Sequence, residues 1–166
     1  MRYLLIFFRL TVGLVLLFSG TSKLIDPVGT SLVVKEYLAA MHLGFVSGAS
    51  GLFGVLLSLV EFVTGLALVM RMRMKIASSV ALGLLSFFTL LTFWVWLFSP
   101  IEDCGCFGEA IHLTNFQTFL KNIILLIFII PIFFFFFTFK NVIGVAGEWV
   151  FLGIYALSIT IFTIVS

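Results

Sequence analysis

The chain has two cysteines, Cys104 and Cys106, separated by Gly105 in the stretch IEDCGCFGEAIHLT at residues 101–114. A Cys-x-Cys pair closes a bridge only where the backbone turns sharply enough to bring the Cα atoms within about 7 Å with converging Cβ vectors. Gly105 supplies that freedom, and Gly108, beyond Phe107, loosens the other flank. So small a ring is strained, and strained, exposed disulfides are the readily reduced ones that serve exchange rather than stapling. Closing such a short loop removes little chain entropy, so a purely structural bridge has little to recommend it. The acids Glu102, Asp103 and Glu109 act the other way, because negative neighbours disfavour the attacking thiolate. Lys121 or the N-terminal end of a following helix would offset them. Structural or idle thiols are the second reading. A third is a metal site from Cys104, Cys106, His112 and Asp103 or Glu109. It has soft ligands suited to zinc or copper, but its spacing matches none of the usual zinc patterns, and no metal is expected.

The rest of the chain says where this dithiol sits. It is 63% hydrophobic and 10% charged, with a mean hydropathy of +1.33, far above the roughly half-apolar content of soluble domains. The fold class is all-α, a polytopic membrane helical bundle occupying 1–166 as a single domain. Five apolar segments, at 3–22, 46–70, 76–98, 116–139 and 148–165, are each near the roughly 20 residues that cross a bilayer. They read as a four-helix core plus a fifth transmembrane helix. Ser99-Pro100 stops the third segment, and Thr114 with Gln117 has the spacing of a capping box that opens the fourth, where Pro131 is expected to cause a kink. Arg9 interrupts the uniform run that a cleaved signal would need, so the first segment reads as a retained span. The few, scattered cations give no support for nucleic-acid binding.

Lys and Arg in short loops mark the cytoplasmic side. Arg71, Arg73 and Lys75 place the loop between the second and third spans there, together with Arg2 and Lys140. The N-terminus is then cytoplasmic, and the Cys-Gly-Cys loop and C-terminus lie outside. In segment 31–42, Leu32, Val33, Tyr37, Leu38 and Met41 form a weak apolar stripe, which suits either an amphipathic helix roofing the outer end or an ordinary surface connection.

Arg9 and Glu61 lie well within spans, where ionisable side chains are costly and usually pair. Their similar depths predict an Arg9–Glu61 ion pair, either structural or part of a proton or quinone site; Arg9 alone also has the reach to snorkel to the headgroups. Lys23 and Asp26 mark the outer end of the first span, with Pro27 and Gly29 turning the chain. Gly13, Ser19 and Gly20 permit close helix approach, and Trp94 and Trp96 look like interfacial anchors. With Arg9 and Glu61 alone breaking the apolar interior, a small-solute transporter is disfavoured.

The stretch RLTVGLVLLFSGTSKLIDPVG, with Gly20, Lys23, Asp26 and Pro27, followed by DCGCFGEAIHLT and KN, resembles the MauE/DoxX family of redox-associated bacterial membrane proteins over roughly residues 7–140. Cys104-Gly105-Cys106-Phe107-Gly108 is the sharper part of the likeness and points to its MauE side. The resemblance implies a four-helix core with an added fifth helix in the bacterial inner membrane. It also implies thiol-disulfide exchange with a periplasmic thioredoxin-like or disulfide-containing protein, as in methylamine utilisation. A thiol-disulfide oxidoreductase working through Cys104 and Cys106 is one outcome; a non-catalytic membrane subunit or assembly factor is the other. Quinone-linked disulfide-forming enzymes relay electrons through two dithiols. With one dithiol, a relay here requires a partner's cysteines or a quinone beside the pair.

Overall fold

The computed structural model describes residues 2–40, 50–98, 114–135 and Gly153. Among these it is helical throughout: α1 Arg2–Ile25, α2 Pro27–Ala40, α3 Ser50–Met70, α4 Met74–Phe98 and α5 Asn115–Phe134. All but α2 are long and apolar enough to cross a membrane. They fall on the first four expected segments with shifted ends: α1 runs three residues beyond Ser22, α4 begins two residues before 76, and α5 ends at Phe134 where 139 was expected, while 46–49 lie outside the described residues. The fifth expected span, 148–165, lies outside the described residues apart from Gly153.

Helices α1, α3, α4 and α5 form a ring in which each packs on the next and α1 closes on α5. The core at its centre includes Val12, Leu68, Met72, Leu85, Ile129 and Ile132, all fully buried. Polar side chains inside the spans are settled locally: Ser58, Ser78, Thr89 and Thr92 each donate to the carbonyl four residues back. Hydrocarbon offers no water for such groups, so internal partners are required.

The expected close approach of α1 occurs against α3. A Cβ on Gly20 would stand 2.7 Å from the backbone nitrogen of Phe62, and one on Gly65 would stand 2.6 Å from that of Leu17. Helix backbones this near exclude any side chain at either position.

The junctions are equally specific. Asp26 alone separates α1 from α2: its Oδ1 accepts from the Gly29 amide at 2.9 Å, with Pro27 at the first helical position. Thr30 Oγ1 donates to the carbonyls of both Lys23 and Asp26. Helix α2 is thus longer than the expected 31–42 segment. It docks through small contacts, Thr30 against Gly54, and through Val33 beside Leu91, Trp94 and Val95. Of the expected apolar stripe, Val33 packs inward and Leu32 is exposed; the side chains of Tyr37, Leu38 and Met41 lie outside the described ones. Helix α3 ends in a Schellman turn, with Met72 N–H bonded to Ala67 O and Arg71 N–H to Leu68 O. Arg71, at φ 56°, fills the left-handed position. The predicted capping box at α5 is present in both directions between Thr114 and Gln117, and the helix continues through Pro131 to Phe134. Trp96 stacks on Phe119 with ring centres 5.8 Å apart, fastening the last turns of α4 to the first of α5.

Gly65→Ala is expected to lower stability by about 3 kcal/mol, the upper range for overpacking, because backbone must move. Gly83→Ala, with nothing within 4 Å of the new Cβ, serves as the comparison and should be neutral or slightly stabilising. Thermal unfolding in detergent measures both.

Candidate functional site

A single carboxylate organises the half of the bundle nearest the α4–α5 connection. Glu61 of α3 is completely buried. Lys23 Nζ lies 2.7 Å from its Oε1 and 2.9 Å from its Oε2, and Ser19 Oγ donates to Oε2 at 2.9 Å. Ser19 and Lys23 are four residues apart, so they share one face of α1 and reach the same partner. Lys23 Nζ also lies 4.9 Å from the centre of the Phe88 ring on α4. Helix α5 completes the surroundings with Lys121 and Asn122, which line a cavity of about 10 Å³ shared with Ser19, Lys23, Glu61 and Phe88. Asn122 Nδ2 donates to Thr92 Oγ1 at 3.4 Å. The cavity has the size and polar lining for one water molecule. Two hydrogen-bonded opposite charges and a hydroxyl make a satisfied ion pair, the form in which charge is tolerated at this depth.

The expected Arg9–Glu61 ion pair is not the one formed. Arg9 Nη1 donates instead to the carbonyls of Leu68 and Val69, the latter at 2.8 Å. Helical side chains lean toward the N-terminus of their own helix. Lys23, at the end of α1, therefore reaches back into the bundle, while Arg9 reaches away from Glu61 toward the end of α3. Seven residues separate Glu61 from Leu68, about 10 Å along a helix. Arg9 thus meets the last carbonyls of α3, which have no intrahelical donors, and its charge suits that end of the helix dipole.

Of the other anticipated residues, Asp26 caps α2, one turn beyond Lys23. Cys104, Gly105, Cys106, Phe107 and Gly108 lie outside the described residues, on the connection between Phe98 and Thr114. Among the described residues no group of three His, Cys, Asp or Glu side chains could hold a metal; Cys104, Cys106 and His112 fall outside them. Sequence reasoning missed Ser19 as a donor to Glu61 and the Asn122–Thr92 contact. The Ser19–Lys23 spacing opposite a buried acid was the available signal for the first.

The family model described as Methylamine utilisation protein MauE matches residues 1–138. The chain belongs to the MauE family. The matched region takes in all four described spans, both Lys23 and Glu61, and the Cys-Gly-Cys connection. Neither a search of curated proteins nor one of solved structures finds a match. The chain is thus a multi-pass membrane protein of a family linked by its description to methylamine utilisation.

Glu61→Gln leaves Lys23 buried without its counter-charge and is expected to cost about 3–5 kcal/mol, whereas Lys23→Met combined with Glu61→Met should recover most of that loss. A double-mutant cycle measured by detergent unfolding should give strong coupling between positions 23 and 61. Coupling between 9 and 61 should fall within about 0.5 kcal/mol of zero.

Proposed function

We propose that this MauE-family protein carries out thiol-disulfide exchange with a periplasmic partner through Cys104 and Cys106. The observation that carries the proposal is that both cysteines of the chain fall in the connection between α4 and α5, inside the family match. A connection between adjacent spans meets the aqueous phase at the membrane surface. The positive-inside distribution of Arg71, Arg73 and Lys75 supports the periplasmic side of a bacterial inner membrane for this connection. There, disulfides form and persist.

In the proposed reaction a partner thiolate attacks one sulfur of the Cys104–Cys106 disulfide. That S–S bond breaks as the mixed disulfide forms, and the departing sulfur leaves as a thiolate that takes up a proton. The partner's second thiolate then attacks the partner sulfur of the mixed disulfide and releases the other cysteine. The partner ends oxidised by two electrons, and the Cys104/Cys106 pair ends as a dithiol. A thioredoxin-like protein or a disulfide-containing protein under maturation, as in methylamine utilisation, has the required dithiol chemistry.

One observation favours a second reading. With only two cysteines the chain holds no second dithiol through which to pass electrons onward, which suits a non-catalytic membrane subunit or assembly factor.

The two readings separate on thiol trapping in native membranes across a glutathione series. Exchange predicts a pair that titrates reversibly and a partner adduct that accumulates in Cys104→Ser or Cys106→Ser, with function lost in both. Thiols that stay free at every ratio, with both serine variants as active as the parent, would establish the subunit reading instead.

A further inference from the structure

Near its end α1 lies against the middle of α3, where Gly20 meets Phe62 and Lys23 pairs with Glu61. Helix α2 takes up the next stretch of α3, with Thr30 on Gly54 and Ser31 on Gly51, and Val33 packs against Val95 of α4. Gly54 and Val95 are four and three residues inside the ends of their helices, about 6 and 5 Å of rise. Helix α3, with 21 residues, is about 31 Å long and matches a hydrocarbon core of about 30 Å. Its ends therefore stand at the membrane surface, and α2 runs below that surface as far as Val33. The α1–α2 junction is a kink and not a fold-back, because Asp26 N–H bonds to Ser22 O and Thr30 N–H to Asp26 O, the helical spacing kept across the break. Pro27 removes the N–H that the Lys23 carbonyl would receive, and Thr30 Oγ1 donates to that carbonyl, as a proline kink requires where water is absent. Ser31 Oγ likewise returns to the carbonyl of Val28.

The outward face of α2 continues that of α1: the exposed Leu14, Phe18 and Ile25 lead on to the exposed Val28 and Leu32. No charged side chain stands between Asp26 and Lys35. A helix lying on a membrane surface turns a charged face to water, and α2 has none until Lys35 and Glu36, both exposed. The Asp26 carboxylate is the polar cost of the kink; it is half-buried and accepts from the Gly29 amide at the positive end of α2. We infer that α1 and the first two turns of α2 make one kinked transmembrane crossing. Acyl chains of the leaflet on the α4–α5 side cover Ile25, Val28 and Leu32, and Lys35 and Glu36 mark the headgroup level. Continuity with the lipid-facing stripe of α1 makes acyl chains, and not a soluble partner, the occupant of this face.

The test places single thiols on α2, as Val28→Cys, Leu32→Cys or Glu36→Cys, in the full chain carrying Cys104→Ser and Cys106→Ser. Membranes opened to reagent on both sides are labelled with a charged maleimide, which reacts only with thiolate in water, before and after dissolution in SDS. Thiols at positions 28 and 32 should label about 10-fold more slowly than the one at 36 in the intact membrane and equally fast in SDS. A bimane attached to Leu32→Cys in detergent should then be quenched, after reconstitution, by phosphatidylcholine brominated along its acyl chains. Labelling at 28 and 32 as fast as at 36 would overturn the inference and put α2 in water, open to a soluble partner. Slow labelling without quenching would also overturn it, because protein and not lipid would then cover the face.

Discussion

Burying one carboxylate completely inside an apolar bundle constrains almost everything around it. Glu61 needs a cation and at least one further donor within hydrogen-bond reach, and both come from α1 as Lys23 and Ser19. A serine is short, so α1 and α3 must lie close, and Gly20 and Gly65 remove the side chains that would keep them apart. Lysine is long and leans toward the start of its helix, so α1 must continue past Ser19 until Lys23 can reach back. Only then can the chain turn, which it does at Asp26 with a cap that requires Gly29: a Cβ there would fall 2.1 Å from the Asp26 carboxylate. The conspicuous residues of the first stretch, Gly20, Lys23, Asp26 and Pro27, thus express one requirement in different chemistry.

The ring of helices has two chemically different ends. Toward the α4–α5 connection the interior is polar, with the Lys23–Glu61 pair, the Asn122–Thr92 contact and a water-sized cavity. Toward the α3–α4 turn the interior is aliphatic, with Leu68, Met72, Ile129 and Ile132, and the charge moves to the rim. At that end Arg9 places its guanidinium on the carbonyls of Leu68 and Val69, neutral acceptors at the end of α3.

Much of this was legible in the sequence, and the limits have physical causes. Length and hydropathy located four spans because crossing a bilayer imposes both, and Thr114 with Gln117 announced the start of α5 because a capping box is a local motif. The partner of Glu61 was misread because depth was counted from Cα positions, whereas Lys23 and Arg9 have side chains several ångströms long that lean the same way along α1. Lys23 was placed at the membrane edge by its charge, yet its ammonium lies inside. Helix α2 was half visible: a weak apolar stripe left an amphipathic helix and a surface connection both open, and docking through Thr30 and Gly54 adds nothing to the hydrophobic period. The Asn122–Thr92 contact pairs residues 30 apart on different helices, information that no local pattern contains.

The order of the two charges along the chain bears on how the protein is made. Lys23 precedes Glu61 by 38 residues, about 2–8 s of synthesis at ordinary ribosomal rates. During that interval the lysine stands near the end of its helix, where a long cationic side chain can rest among headgroups at little cost. Glu61, with a shorter side chain in mid-span, has no such refuge. Synthesising the cation first means that the carboxylate enters the bilayer with its counter-ion already waiting. The same two residues in the opposite order would leave a bare acid in hydrocarbon until the rest of the bundle arrived.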